Sequence, residues 1–199
     1  MRSAIVYDLE FTAWEGSMRH RWLRPGEFTE VVQIGAVKVD PLNLVVRETF
    51  SVFVRPRINP VLSPYLERLT GITTAILREQ GRDLADAHRA FLAFADGGMC
   101  AAFGRDELIF EDNMRLYGLT APASAIEFRD LRPWFRANGV ETRGLHSCDI
   151  GPKLGIPLEG RAHNALTDSL SVAAGMRVLV ARGVRSLFAD CVEAAKTAA

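Results

Sequence analysis

Two acidic residues at the end of the first apolar run constrain this chain most. The run from Ala4 to Phe11 is rich in β-branched and aromatic residues, which predicts a β-strand buried on both faces. Asp8 and Glu10 lie two residues apart near its carboxyl end, so their side chains point to the same side of the sheet. Carboxylates held that close repel unless one is protonated or a cation lies between them. We interpret the pair as a candidate divalent-metal site; the alternative is a solvated loop with acids there by chance.

Length and composition predict one domain. The chain has 199 residues, of which 48% are hydrophobic, so we expect a single domain over residues 1–199. No apolar run is long enough to span a bilayer, and the amino terminus lacks a signal-peptide pattern, which predicts no membrane association. Three widely spaced cysteines, Cys100, Cys148 and Cys191, match no metal or redox motif. They predict free thiols and a cytoplasmic location.

The charge balance argues against a protein that coats duplex nucleic acid by bulk charge. Lysine plus arginine and aspartate plus glutamate each number 24, so the net charge is zero. Local phosphate binding stays open, because acidic site residues can cancel a basic rim. Nearly all basic residues are arginine, which suits bidentate phosphate contacts. A codon bias of the genome explains the same preference.

Periodicity and turn residues predict a mixed α/β domain. Strands are predicted at 4–11, 31–40, 45–54, 99–103 and 125–128. Helices are predicted at 64–69, 74–80, 84–96, 107–117, 131–136, 148–154, 164–181 and 184–196. The turn at Leu42-Asn43 makes its two strands antiparallel, and the first three strands form a meander. The later strands join through helical crossovers, which should be right-handed.

The segment from Ala13 to Glu30 is polar and carries no helical period. It interleaves arginines and histidine with Trp14 and Trp22, a composition that can stack bases and hold phosphates. A loop that its tryptophans anchor to the core explains the same residues.

Two later acids could complete a metal site. Asp106 follows the predicted strand that ends at Phe103, and sites in α/β sheets gather at the carboxyl ends of strands. A helix cap is the alternative for Asp106. Asp168 lies one turn before Val172 on the buried stripe of the last long helix. A charge in line with a buried stripe is costly unless it is paired or binds a metal.

One histidine lies close to these acids in sequence. Asn164 is a good N-cap residue, so His163 is expected on the loop just before the helix, where it could act as a general base. The remaining histidines, His20, His88 and His146, have no comparable sequence neighbourhood and are predicted to lie outside the site.

The acids and the histidine together resemble the three motifs of the DEDDh 3′→5′ exonucleases. The motifs are Asp8-Leu9-Glu10-Phe11-Thr12, Asp106, and His163-Asn164-Ala165-Leu166-Thr167-Asp168. With Leu69-Thr70-Gly71-Ile72 and Gly160-Arg161-Ala162-His163, the chain is most similar to the histone-mRNA exonuclease and sporulation-inhibitor branch. The second motif departs from the usual pattern, because Gly104-Arg105 precedes its aspartate. The resemblance implies an RNase H-like fold, a mixed five-stranded sheet with two parallel strands beside the meander.

The resemblance also implies a reaction and its residues. Asp8, Glu10 and Asp168 would hold one Mg²⁺ or Mn²⁺, and Asp8 would bridge to a second ion that Asp106 reaches through water. His163 would take the proton from the attacking water. The terminal nucleotide of single-stranded RNA or DNA would contact a further set: Phe11, Thr12, Leu69, Gly71 and Ile72. RNA is the favoured substrate, and the product would be a nucleoside 5′-monophosphate.

Two other functions stay open. One is a non-catalytic regulatory or RNA-binding protein on the same fold, although such a protein needs none of the five site residues. The other is a DNA proofreading exonuclease. Protein partners cannot be inferred from the sequence.

Overall fold

The computed structural model describes residues 3–120 and 126–192. The strands are β1 (Ala4–Phe11), β2 (Val31–Val39), β3 (Val46–Phe53), β4 (Met99–Ala102) and β5 (Glu127–Asp130). The helices are α1 (Ser17–His20), α2 (Pro64–Thr70), α3 (Thr74–Gln80), α4 (Leu84–Ala95), α5 (Asp106–Leu116), α6 (Arg132–Ala137), α7 (Ile150–Lys153) and α8 (Ala165–Ala181). A 3₁₀ turn at Ser147–Asp149 leads directly into α7.

The strands form one five-stranded sheet in the order β3-β2-β1-β4-β5. β1 pairs antiparallel with β2, and β2 antiparallel with β3. β4 lies parallel to both β1 and β5. This arrangement confirms the predicted meander with two parallel strands beside it. Because β1 and β4 are parallel neighbours, their carboxyl ends meet at one edge of the sheet.

Alternation along β1 places its two acids. Ala4 and Val6 belong to the core cluster that includes residues of α6 and α8, whereas Ile5 and Tyr7 belong to the cluster with residues of α4 and α5. Side chains on a strand alternate between the two faces. Asp8 and Glu10 therefore continue the face that α8 covers.

The start of α8 packs directly against β2 at Gly35. A Cβ at Gly35 would lie 2.2 Å from the carbonyl carbon of Ala165, so only glycine fits there. The hydroxyl of Ser169 donates to the carbonyl of Gly35 at 3.0 Å. Gly35 is also the register partner of Asp8 on β1. This close approach brings the first turn of α8, with Asp168, beside the end of β1.

Three predicted elements differ from the structure. No helix runs through 184–189: Ser186 is buried and its hydroxyl accepts the N–H of Phe188, and helical residues begin only at 190. Residues 193–196 of that prediction lie outside the described residues. The last strand is Glu127–Asp130, since Glu127 pairs with Met99, and Ala125 lies outside the described residues. The segment 13–30 contains one short helical turn, α1, that the sequence did not indicate.

Two compositional predictions can be compared with the structure. Within the described ranges, no helix has both the length and the hydropathy needed to cross a bilayer. Cys100, Cys148 and Cys191 are all buried and form no disulfide bond within the described residues, in agreement with the predicted thiols. The cytoplasmic location stays a prediction.

Candidate active site

A cleft of about 1280 Å³ opens at the carboxyl ends of β1 and β4. All five predicted catalytic residues line it: Asp8, Glu10, Asp106, His163 and Asp168. They come from four parts of the chain, which are β1, the start of α5, the loop before α8 and the first turn of α8.

Three of these side chains form a compact group. Glu10, His163 and Asp168 each offer one ligand atom, and these atoms lie within 4.8 Å of one another. Oδ1 of Asp168 is buried and has no hydrogen-bond partner. A buried, unpartnered carboxylate oxygen is costly unless something positive binds it. The residues present therefore fit a divalent cation, for which carboxylate oxygens are suitable ligands.

Burial raises the pKa of all four carboxyl groups, and neighbouring carboxylates add to the rise. Burial, followed by the charge of Asp168, raises the pKa of Asp8 to about 8. Burial raises the pKa of Asp168 to about 7, partly offset by the N–H groups of His163 and Asn164. Burial and neighbouring carboxylates also raise the pKa of Glu10 and of Asp106. Without a cation, the site favours protonated carboxyl groups near neutral pH.

Asp106 lies on the cleft close to Gly104, whose lack of a side chain leaves room for the carboxylate. Gly104 adopts φ 158°, and a Cβ there would lie 3.1 Å from Oδ1 of Asp106. Asp106 is the first residue of α5 rather than its N-cap, a position that Arg105 occupies. Its carboxylate accepts the backbone N–H of Leu9, which ties it to β1. The structure thus favours the site role of Asp106 over the helix cap.

His163 lies on the loop before α8, as predicted. Asn164 caps the helix, its Oδ1 accepting the N–H of Thr167 at 3.3 Å, while His163 adopts a left-handed conformation with φ 58°. A non-glycine residue with positive φ is uncommon, and such strain often occurs at functional sites. Burial, then the nearby His146, lowers the pKa of His163. The imidazole is therefore neutral near pH 7 and able to accept a proton.

Two residues of the cleft were missed. The prediction that His146 lies outside the site was wrong: it lines the cleft, and its ring lies 5.5 Å from that of His163 in an edge-on arrangement. Ser147 donates its hydroxyl hydrogen to Oδ1 of Asp8 at 2.6 Å. No sequence signal connects these residues to the motifs, since 139 positions separate Ser147 from Asp8.

The predicted substrate contacts divide into two groups. Phe11 and Leu69 line the cleft. Thr12 and Ile72 are buried, and Gly71 is the C-cap of α2, in the left-handed conformation with φ 76°. Because they are buried, the side chains of Thr12 and Ile72 can support the wall of the cleft but cannot touch a bound nucleotide. Direct contact with a nucleotide stays a prediction for Phe11 and Leu69.

The arginine- and tryptophan-rich segment is anchored to the rest of the chain, and part of it also lines the cleft. Trp22 anchors it, because its indole N–H donates to the carbonyl of Thr12 at 2.8 Å. The same ring packs 5.5 Å from Phe11, and Trp14, Arg19 and Trp22 all line the cleft. Trp22 thus holds the segment in place and also lines the cleft, while base stacking and phosphate binding by this segment stay predictions.

A family model described as RNase T exonuclease matches residues 5–176. The chain belongs to this exonuclease family. The matched range includes the positions of all five predicted site residues, whose roles stay predictions. The protein is accordingly a nuclease and a phosphodiester hydrolase of the exonuclease type, and the expected enzyme class is confirmed.

Solved structures share the fold of this exonuclease. A 3′-exonuclease structure that shows recognition of the histone mRNA stem-loop has TM-score 0.74 at 22% identity, over 93% of this chain and 84% of that one. The nuclease domain of 3′hExo, a DEDDh family member bound to rAMP, has TM-score 0.73 at 23% identity, over 90% of each chain. E. coli exonuclease I with a dA16 oligonucleotide has TM-score 0.64 at 16% identity, over 92% of this chain and 41% of that one. The expected RNase H-like exonuclease fold is confirmed. No curated protein sequence matches this chain.

Ser147→Ala tests how the exonuclease site holds Asp8. Loss of the 2.6 Å hydrogen bond should let the carboxylate rotate, and supporting residues of metal sites typically contribute about 10–100-fold in affinity or activity. We expect activity to fall about tenfold and the Mg²⁺ concentration at half-maximal activity to rise. Titration of activity against Mg²⁺ measures both. Ser186→Ala, at a buried serine outside the cleft, is the control; equal Mg²⁺ midpoints for both variants would contradict this role.

Proposed function

We propose that this exonuclease is a metal-dependent 3′→5′ enzyme that hydrolyses single-stranded nucleic acid, RNA in preference to DNA, to nucleoside 5′-monophosphates. One observation carries the proposal. The cleft gathers three buried carboxyl groups, the partly buried Asp106 and a neutral histidine, and it leaves a buried oxygen of Asp168 without a partner. A binding module has no use for this costly arrangement.

We propose that the four acids together bind two ions of Mg²⁺ or Mn²⁺. Asp8, Glu10 and Asp168 lie on adjoining elements and are the main ligands, while Asp106 enters from the far side of β1, on α5. Divalent ions bound there would stabilise negative charge on the phosphate and on the leaving oxygen. Ser147 holds the Asp8 carboxylate in one orientation through its hydrogen bond.

His163 is the proposed general base. A ring nitrogen of His163 lies within 4.8 Å of carboxylate oxygens of Glu10 and Asp168, which supports this role. The neutral imidazole accepts the proton of the attacking water as the phosphodiester bond breaks. The positive φ of His163 directs the ring toward the acids while α8 begins one residue later.

The aromatic residues that line the cleft are suited to a single-stranded substrate. Phe11 and the tryptophans offer apolar surfaces on which unpaired bases can stack, a mode of binding that tolerates any sequence. The fold neighbours bind rAMP, an mRNA stem-loop and a DNA oligonucleotide, so the fold accommodates both sugars. Two of these three ligands are ribonucleotides, which supports RNA as the preferred substrate.

Degradation of a 5′-labelled single-stranded RNA with Mg²⁺ or Mn²⁺ tests the proposal. We expect a ladder that shortens from the 3′ end, is abolished by EDTA, and is absent with Asp8→Asn. A matched DNA strand in parallel measures the sugar preference, and faster DNA cleavage would favour the proofreading alternative. Binding of RNA without cleavage of either strand would instead indicate a regulatory RNA-binding protein.

A further inference from the structure

The cleft extends well beyond the acids, and this extension is strongly basic. Its volume of about 1280 Å³ exceeds the roughly 300–1,000 Å³ typical of small-ligand pockets. The lining of this extension runs along α6 and the segment after it: Arg132, Arg136, Glu141, Thr142, Arg143 and His146. None of these residues belongs to the three motifs.

Of the three arginines in this extension, Arg136 and Arg143 have the most available charges. Both are exposed, and in the described part of the chain neither has a carboxylate oxygen within 4.0 Å, the limit for an ion pair. Arg132 differs, because it is paired with Asp130 at 3.2 Å. Net neutrality of the whole chain thus conceals a local positive surface beside the site.

Rigid elements present these two guanidinium groups. Arg136 follows Phe135, which is fully buried and packs edge-on against Phe103 at 5.8 Å. Thr142 is buried next to Arg143 and accepts a hydrogen bond from Nη1 of Arg136 at 3.1 Å. The hydrogen bond joins α6 to the following segment. Two arginines held on one frame suit the charge-assisted, bidentate hydrogen bonds that phosphate accepts.

The position of this surface relative to the aromatic residues matches a single strand. Phe11 ends β1 and Trp14 and Trp22 lie on the connection from β1 to β2, whereas α6 follows β5. The sheet order therefore places aromatics and arginines on either side of the end of β1. A strand that leaves the acids can stack bases on one side and contact phosphates on the other.

Glu141 is the one acid among these arginines. It is exposed, and its Oε1 accepts the N–H of Arg143 at 2.8 Å, which positions the carboxylate beside that residue. The N–H of Arg143 and the charges of both arginines lower the pKa of Glu141, so it is ionised at neutral pH. A fixed negative charge at this point opposes phosphate binding.

We infer that Arg136 and Arg143 form a subsite for backbone phosphates upstream of the bond that is cut, and that Glu141 limits its affinity. The inference rests on the proposed function, since the acids define where the 3′ end lies. The ligand class is the phosphodiester backbone of a single strand of about ten nucleotides or fewer, bound without regard to base sequence.

Kinetics on two substrates test the subsite. One is a single-stranded decanucleotide, and the other is the p-nitrophenyl ester of a nucleoside 5′-monophosphate, which has no upstream phosphate. For Arg136→Ala/Arg143→Ala we expect the KM for the decanucleotide to rise at least tenfold. The ratio of kcat/KM between decanucleotide and ester should fall at least tenfold. The slope of log affinity against log salt should become shallower by about 1.4, or about 0.7 for each phosphate contact on a single strand.

Three further variants separate binding from folding. Arg136→Lys/Arg143→Lys keeps the charges and should restore most of the decanucleotide affinity. Glu141→Gln keeps the hydrogen-bond acceptor, removes the charge, and should lower the KM for the decanucleotide several-fold at low salt. Arg89→Ala/Arg182→Ala removes two exposed arginines away from the cleft and is the matched control. A purely structural role of the segment would not produce opposite effects from Glu141 and the arginines.

The results distinguish the inference from the proposed function. An equal KM for wild type and Arg136→Ala/Arg143→Ala, or equal losses on both substrates, overturns the subsite. If the wild type cleaves neither substrate, the proposed function fails. The subsite is then decided by fluorescence anisotropy of the labelled decanucleotide in EDTA, where the same order of affinities is expected: Glu141→Gln tightest, then wild type, then the double alanine variant.

Discussion

Asp8→Asn is expected to abolish hydrolysis and, in the absence of metal, to make the protein more stable. Asp8 is buried beside Asp168, and burial and that charge raise its pKa to about 8. The amide keeps an oxygen that can accept the hydrogen bond of Ser147 but carries no charge to bind a cation. Activity and stability therefore change in opposite directions, as is common where a site stores strain for function.

The sign of the stability effect follows from proton linkage. The folded, metal-free protein holds a proton on Asp8 that the unfolded chain releases above about pH 4. This group's contribution to stability is complete below that pH and is lost as the pH rises toward about 8. Since each pKa unit corresponds to about 1.4 kcal/mol, this rise sets an upper limit of roughly 6 kcal/mol on the penalty at pH 8. Asp8 shares that penalty with the neighbouring carboxyl groups, so we expect Asp8→Asn to gain at least about 2 kcal/mol at pH 8 and nothing at pH 4.

Thermal unfolding in EDTA at pH 4, 6 and 8 measures this difference. A gain of about 2 kcal/mol corresponds to roughly 4–8 °C in Tm for a chain of this size. Mg²⁺ should raise the Tm of the wild type by mass action and leave Asp8→Asn nearly unchanged. Asp112→Asn, at an exposed position on α5, is the matched control and should show neither effect. A lower Tm for Asp8→Asn than for wild type at pH 8 would show that repulsion among the acids does not limit stability.

His163→Ala is expected to slow turnover about 10²–10⁴-fold, the usual contribution of a general base. The ring is the one neutral, proton-accepting group within reach of Glu10 and Asp168 in the described structure. The carboxyl groups remain in place, so the Mg²⁺-dependent rise in Tm should persist in this variant. Loss of that rise would instead make His163 a metal ligand.

His146→Ala is the informative control for this experiment. His146 is exposed, its ring lies 5.5 Å from that of His163, and it is not part of the compact group with Glu10 and Asp168, so we expect a smaller loss of turnover. A pH profile of kcat/KM adds a second measurement. Because the pKa of His163 is lowered, the acidic limb of the wild-type profile should lie below the usual histidine value of about 6.5. A larger loss for His146→Ala than for His163→Ala would transfer the role of base to His146.

Most of the correctly predicted elements of the fold are identified by short-range sequence patterns. β1 is identified because apolar residues fill both of its faces, and α8 because Asn164 caps a helical stripe. The predicted helix at 184–196 was wrong in its first half, because a buried Phe188 and the Ser186 hydroxyl favour a turn there. Helical periodicity cannot show that a tertiary contact will displace the helix.

Short-range periodicity places some residues of the site, and long-range contacts place the others. Sequence patterns alone identify Asp8 and Glu10 as a pair, and His163 and Asp168 as neighbours, because strand and helix periods operate over a few residues. Long-range packing was needed to show that Gly35 admits the start of α8 against β2, and that Ser147 and His146 reach the motifs. The same long-range packing brings the arginines of α6 to the cleft. Contacts between distant segments depend on how sheet and helices pack, and no local period records that packing.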